Sequence, residues 1–399
     1  MDLERSRGEP SPSSVPLVAI ALPPSQAVPV VIECWARGEA VAVLDPSAPA
    51  AKTAERVRSV RPTRLVDAHG EQVVEADASV PADVAAVVVT SGTSATAKAV
   101  ELTRAGMEAS ARAVHAELGQ EPNDRWLSCL PLHHVAGLSI VARSFVLDIP
   151  LVTVDRFDPQ RVADLAGECT LTAIVPVMLT RLLDTYAPID RFRAVLLGGG
   201  PISLDLLRRA RSRGINVRAT YGMTETWGGV IYDGRPLPGV AVDLDDDSEI
   251  LIDAPTIMRG YRDDPVATEA AFTDDGWFRT GDVGSFLGDG RLQVVDRKKD
   301  IVITGGVNVS PTHVERALTD HPKIADICVA GVADAVWGER VVAFVVPAHP
   351  ANPPTLDELQ SHAAPRLAAA ELPRALSLVS SIPRTENGKP MRRRLTGAD

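Results

Sequence analysis

Val84-Ala85-Ala86-Val87-Val88-Val89 runs into Thr90-Ser91-Gly92-Thr93-Ser94-Ala95-Thr96-Ala97-Lys98, and the reading of that junction decides the fold. An unbroken apolar, valine-rich run suits a strand buried on both faces. The stretch after it carries small hydroxyl residues, one glycine and a lysine. Beyond it Thr103 is a candidate N-cap, and Met107, Ala111, Val114 and Leu118 recur at helical spacing. A buried strand, a small polar loop and a helix make a phosphate cradle. Loop N–H groups and hydroxyls face the anion, and the lysine adds charge. Ser/Thr-rich loops are also ordinary turns, so this stretch alone leaves both readings open.

Outward from the loop, strands and helices alternate. Residues 15–22 read as a strand, 29–37 as a helix closed by Gly38, 40–44 as a strand, 51–60 as a helix and 65–67 as extended. The pattern resumes with strands at 171–175, 193–197 and 215–220 and helices at 177–186 and 204–213. Such alternation implies parallel sheets covered by helices, with ligands at the carboxyl ends of the strands. The Thr90 loop, the turn at Gly198 and the segment at Tyr221 each follow a strand, so they can converge on one crevice. From about residue 240 the texture changes to hairpins, with turns at Asp245-Asp246-Asp247-Ser248 and Asp289-Gly290. A last unit mixes strands at 324–332 and 341–346 with helices at 311–318 and 356–367.

Composition bounds the function. With 399 residues and 45% hydrophobic content the chain can bury a large core and divide into more than one domain. A formal charge of −11 argues against nucleic acid as a partner. No apolar run approaches membrane-spanning length and no secretory leader is evident, so a cytoplasmic protein without a membrane partner is expected. Cys34, Cys129, Cys169 and Cys328 are scattered without zinc spacing and read as buried free thiols.

The loop is one of a series of motifs. Pro131-Leu132-His133-His134-Val135-Ala136-Gly137 follows it, then Gly198-Gly199-Gly200-Pro201 and Tyr221-Gly222-Met223-Thr224-Glu225-Thr226. Thr280-Gly281-Asp282, Asp296-Arg297-Lys298-Lys299-Asp300 and Gly305-Gly306-Val307-Asn308-Val309 come next, and Pro383-Arg384-Thr385-Glu386-Asn387-Gly388-Lys389 lies near the end. Together, and in this order, they resemble the signatures of the adenylate-forming superfamily, which includes acyl-CoA ligases, luciferases and peptide-synthetase adenylation domains. The resemblance implies an α/β fold. A large N-terminal domain, residues 1–298, would hold parallel sheets with helices plus a β-rich subdomain. A small mobile α+β C-terminal domain, residues 299–399, would swing on a hinge near Lys299. The chain is short for the superfamily, and the shortening is expected in the first subdomain.

The same resemblance implies chemistry. A carboxylate attacks the α-phosphate of ATP, giving an acyl-adenylate and pyrophosphate, and the thiol of coenzyme A then displaces AMP. The first step needs cations and N–H donors set in place beforehand. Lys389 stands where the family has its adenylating lysine, and Glu225 where it binds Mg2+. Thr224 would contact phosphate oxygens. Thr90, Ser91, Gly92, Thr93, Ser94 and Lys98 would bind phosphates. Gly199, Gly200, Pro201, Tyr221, Gly222 and Met223 would line the nucleotide site. Asp282 would accept both ribose hydroxyls, since a carboxylate has two acceptor oxygens, and Arg297 would assist it. His133, His134, Gly137, Trp227 and Gly228 would shape the acyl pocket, although Trp227 could instead pack beneath the Tyr221 segment. Lys299 would be the hinge, and Gly305 and Gly306 would let backbone lie close to pantetheine. Arg392-Arg393-Arg394 reads as a solvated basic end.

Within the superfamily, residues 130–138, 196–201 and 230–234 are similar to the o-succinylbenzoate–CoA ligases of menaquinone synthesis, especially short actinobacterial ones. The expected function is therefore an acyl-CoA ligase for a bulky aryl or alicyclic carboxylic acid. The loop departs from the family, which usually has Gly, Pro and Gly where this chain has Ala95, Ala97 and Ala99. An alanine forced to φ > 0 costs about 1–2 kcal/mol, and loss of the proline loosens the free loop. Weakened adenylation is thus an alternative. The chain would then form thioesters from an acyl-adenylate supplied by a separate ligase in a natural-product pathway, or bind acyl-adenylate without turnover.

Overall fold

A computed structural model describes residues 13–75, 78–90, 98–185, 187–384 and 390–397. The chain packs as two compact units. One runs to Ala241 and regains Asp253–Phe272; the other holds Val242–Ile252 and everything from Thr273.

Two seven-stranded sheets build the first unit. The first runs, edge to edge, Gly260–Tyr261, Ala99–Thr103, Val84–Val89, Ala40–Val43, Leu17–Ala21, Arg64–Asp67 and Gly70–Val73. Its middle is parallel, from Val84–Val89 across to Arg64–Asp67, and its outer pairs are antiparallel. The second runs Leu151–Thr153, Trp126–Ser128, Leu171–Ile174, Ala194–Leu197, Val217–Met223, Gly228–Tyr232 and Arg235–Pro236, with the first five strands parallel. The central strands read as unbroken apolar runs because both faces are covered, and Leu17, Val18, Ala19 and Ile20 are fully buried.

The expected alternation is present, with one difference at the decisive junction. Val84–Val89 does not lead through the loop to a helix. It turns back as an antiparallel partner, Ala99–Thr103, with Val88 opposite Val100. The loop is therefore the connection of a hairpin, and the helix Arg104–Leu118 starts six residues beyond Lys98. Thr103 does cap that helix, its Oγ1 accepting from the N–H of Gly106 at 2.9 Å. The Tyr221 motif differs too. The strand Val217–Met223 runs through it with an irregular register at Tyr221/Gly222, and Thr224–Thr226 forms a single 3-10 turn.

A four-stranded antiparallel sheet and a five-stranded sheet make up the second unit. The Asp289-Gly290 turn joins Phe278–Phe286 to Leu292–Arg297 in the four-stranded sheet as expected, with Gly290 at φ 77°. In the five-stranded sheet, Ile324–Asp334 and Gly338–Pro347 form the long central pair. Helices Pro311–Leu318 and Leu356–Ala363 bury Val314, Leu318, Leu359 and Ala363 against Val329, Val341, Ala343 and Val345. Arg392 is not solvated. Its Nη2 donates to Glu315 at 2.8 Å and its Nε to the carbonyl of Val329 at 2.9 Å. The four cysteines are buried free thiols, as expected. Among the described residues no helix is long and apolar enough to cross a membrane.

Candidate functional site

In the first unit, three glycine-dependent close approaches define the site. A Cβ on Gly222 would overlap the carbonyl of Gly228, one on Gly137 the carbonyl of Pro131, and one on Gly198 the hydroxyl of Thr220. The first and third pack the Tyr221 strand against Gly228 and against the Gly198 turn, and the second packs the start of the helix Val135–Leu147 against the turn at Pro131. Gly199 adopts φ 77°, which favours glycine in that turn.

The hairpin loop is closed at its base by Thr90, whose N–H and hydroxyl both donate to the carbonyl of Lys98. Ser91, Gly92, Thr93, Ser94, Ala95 and Ala97 lie outside the described residues. Ala99 is an ordinary buried strand residue opposite Val89, so its methyl meets no left-handed strain. The Lys98 ammonium stands 4.0 Å from the centre of the Tyr261 ring. The Tyr261 hydroxyl donates to Glu225 Oε1 at 3.0 Å. Glu225 Oε2 has no hydrogen-bond partner among the described residues. One free carboxylate oxygen suits a hard cation that takes its other ligands from phosphate and water. Among the described residues no cluster of three or more His, Cys, Asp or Glu side chains is placed to hold a metal ion.

His134 caps the helix Val135–Leu147 through its extended backbone, its carbonyl accepting from Gly137 and Leu138. The rings of His133 and His134 lie 4.4 Å apart. Trp227, expected as a pocket wall or as packing, is fully buried, and its indole N–H donates to the carbonyl of Thr103 at 3.0 Å. It packs against Gly106 beneath the start of the helix Arg104–Leu118.

Sequence reasoning missed Arg143. The helix Val135–Leu147 carries no other charged residue, and that isolation in an apolar stretch was the signal. Val135, Ser139 and Arg143 share one face of it. Ser139 lies beside Gly228, where a Cβ would come within 3.6 Å of its hydroxyl. Farther along, Arg143 interacts electrostatically with Tyr232 at the other end of the strand Gly228–Tyr232. The residue is 3% exposed, and its guanidinium carbon lies 5.4 Å from the centre of the Trp126 ring. Its Nε has no hydrogen-bond partner, and no carboxylate pairs with it among the described residues. Nearby, Trp126 Nε1–H donates to His115 Nε2 at 3.1 Å, and His115 Nδ1 is also without a partner. A buried cation that cannot shed its proton is costly until an anion joins it.

The second unit brings two expected partners together. Arg297 Nε lies 2.7 Å from Asp282 Oδ1 across paired strands, and Asp282 is 4% exposed. Thr280 Oγ1 accepts from the Asp282 N–H while donating to the carbonyl of Ile250, which fixes the turn. Lys299 sits in the 3-10 turn Lys298–Asp300, where burial lowers the pKa of its ammonium. Gly305 and Gly306, at φ 58° and 79°, turn between Val302–Thr304 and Val307–Val309. A Cβ on Gly305 would come 3.0 Å from the Trp337 ring, which Arg374 covers at 3.9 Å. Lys389 lies outside the described residues, as do 385–388.

Comparison with known proteins agrees with the motifs. The AMP-binding enzyme model matches residues 34–262, and the AMP-binding enzyme C-terminal domain model matches 313–389. The 2-succinylbenzoate–CoA ligase of Bacillus licheniformis is 34% identical over 374 residues, covering 86% of this chain and 77% of the relative. The probable 2-succinylbenzoate–CoA ligase of Mycobacterium tuberculosis is 39% identical over 319 residues, covering 77% and 82% respectively. The o-succinylbenzoate CoA synthetase of Bacillus subtilis, solved with its acyl-adenylate intermediate, superposes with a TM-score of 0.84 at 28% identity, covering 95% of this chain and 88% of that one. That protein has also been solved with ATP and magnesium. The similarity is not confined to actinobacterial enzymes.

Proposed function

The chain belongs to the AMP-binding enzyme family, and on that premise we propose that it is an acyl-CoA ligase whose acid carries two carboxylates, o-succinylbenzoate being the compound that fits best. Arg143 carries this reading. An aryl dicarboxylate could present one carboxylate to the nucleotide and lay its body along the Gly228–Tyr232 strand. The other carboxylate would then meet the buried guanidinium. Nine residues of helix separate His134 from Arg143, a rise of about 13 Å, and side chains tilting toward the helix N-terminus shorten that span.

The reaction has two steps. One oxygen of the acid attacks the α-phosphorus of ATP, the Pα–O bond to the β-phosphate breaks, and pyrophosphate leaves with the electron pair. The CoA sulfur then attacks the acyl carbon and AMP leaves. Glu225 would hold Mg2+, which would supply positive charge to offset that of the phosphates. Lys98 and Thr224 bind phosphate oxygens, Thr90 uses both its donors to close the base of the loop, and Lys389 stabilises charge at the carboxylate and α-phosphate. Asp282, fixed by Arg297, accepts the ribose hydroxyls. His134 lies beside the acyl group, and the Gly305-Gly306 turn receives pantetheine. ATP and CoA as co-substrates fit a cytoplasmic location. A second reading, thioester formation from a preformed acyl-adenylate, rests on Ala95 and Ala97.

Arg143→Met tests the substrate class. Removing an unpaired buried charge in favour of an apolar side chain should leave the fold as stable or more stable in denaturant. The KM for o-succinylbenzoate should rise at least about tenfold, the scale of one lost hydrogen bond to a charge. Equal activity of parent and variant on the diacid would refute the role of Arg143.

A further inference from the structure

Both charges assigned to the phosphate end are held by one aromatic side chain outside every motif quoted above. Tyr261 ends the short strand Gly260–Tyr261, which pairs antiparallel with Ala99–Thr103, Tyr261 opposite Val100. That partner strand begins one residue after Lys98. Backbone bonds fix the segment on two sides. The Met258 N–H donates to the carbonyl of Glu225 at 2.7 Å, and the N–H groups of Arg259 and Arg262 donate to the carbonyls of Glu101 and Ala99 at 2.8 Å. Thr268 Oγ1 accepts from the Tyr261 N–H at 2.9 Å, and it sits so close that a Cβ on Gly260 would come 2.8 Å from the Thr268 methyl. The ring is thereby confined between Lys98 and Glu225.

We propose that Tyr261 is a positioning residue for adenylation, its ring face holding the phosphate-loop lysine and its hydroxyl orienting Glu225 toward the magnesium–nucleotide. The inference rests on the ligase reading above. A cation–π contact holds an ammonium without consuming its N–H donors, so all three remain for phosphate. A hydroxyl on Oε1 orients the carboxylate while leaving Oε2 for the metal. One rigid side chain thus couples the spacing of the cation and anion that a magnesium–ATP complex must meet together.

Two substitutions separate the two contacts. Tyr261→Phe keeps the ring face and removes the bond to Glu225; Tyr261→Leu removes both. Nucleotide binding is measured by calorimetry, with ATP titrated at increasing Mg2+ and AMP titrated without it. Tyr261→Phe should need about tenfold more Mg2+ to reach half its full ATP affinity, as expected for one lost bond to a charged acceptor. Its affinity for AMP should match the parent. Tyr261→Leu should in addition bind ATP more weakly without Mg2+. An unchanged Mg2+ requirement in Tyr261→Phe overturns the proposal when the parent binds magnesium–ATP. Equal weakening toward AMP and ATP also overturns it, because that is the mark of a merely structural residue. A parent protein that does not bind magnesium–ATP overturns the ligase reading itself, together with the proposal built on it.

Discussion

Arg143 and His115 flank the same indole, that of Trp126, and burial acts on them differently. The guanidinium keeps its proton. The imidazole sheds it, and burial pulls the pKa of His115 from 6.5 down to about 4. The unfolded chain then binds a proton below about pH 6.5, whereas the folded chain does so only below about pH 4. His115 therefore contributes stability fully above pH 6.5, and that stability is lost as pH falls toward 4. The His115 ring signals should stay those of the neutral imidazole down to about pH 5 in an NMR titration. Urea midpoints should fall between these pH values in the parent, and fall less in His115→Gln. A His115 that titrates near pH 6.5 would contradict the account. His115 carried no functional signal in the sequence, and Arg143 only that of a lone charge in an apolar stretch. A histidine in the amphipathic pattern 104–118 looks like any core histidine. What sets Arg143 apart is the absence of a partner, and only the fold shows that.

At the scale of elements, the sequence made the alternating strands and helices readable, because each carries its own period and its own stop signal. The hairpin partner Ala99–Thr103 was not readable. Its one charged residue, Glu101, is 9% exposed and paired with Arg262 at 3.0 Å, a residue distant in sequence. That arginine and Arg259, 3.8 Å from the same carboxylate, offset the cost of burying a glutamate in the strand. The difference changes the account of the phosphate loop. It connects two paired strands, and the next helix, Arg104–Leu118, begins only after the second of them. If Ala95 and Ala97 weaken its grip on the β- and γ-phosphates, the two half-reactions should separate. ATP–pyrophosphate exchange should be feeble and thioester formation from the acyl-adenylate fast. Restoring Gly at 95 and Pro at 97 together should then raise exchange at least several-fold and leave the thioester step unchanged. Exchange already robust in the parent, and unmoved by the double substitution, would remove the second reading.

For the whole molecule, the chain leaves its first compact unit at Ala241 and returns to it for Asp253–Phe272. A linear reading sees texture change along the chain but not such a return, because strand pairing decides it. The hinge proposed at Lys299 lies within the second unit. On either side of it, Asp296 Oδ2 accepts from Ser310 Oγ at 2.9 Å and from the Thr312 N–H at 2.8 Å. Rotation about Lys299 has to break both bonds, so Asp296 would latch one of the two orientations. Lys299→Pro fixes φ at the turn. It should slow full turnover from acid to thioester by about tenfold or more if that rotation separates the half-reactions. The isolated exchange reaction should be less affected. Normal full turnover in Lys299→Pro would move the hinge elsewhere.

Product formation tests directly whether the protein joins a dicarboxylic acid to CoA. The protein is incubated with ATP, Mg2+, CoA and o-succinylbenzoate, and thioesters and AMP are quantified by mass spectrometry. A parallel reaction uses the analogue in which the carboxylate that is not activated is replaced by a neutral group. The expected products are the CoA thioester of the diacid and one AMP for each thioester, with little product from the analogue. No thioester from the diacid, or equal rates with the analogue lacking the second carboxylate, would contradict the proposed function.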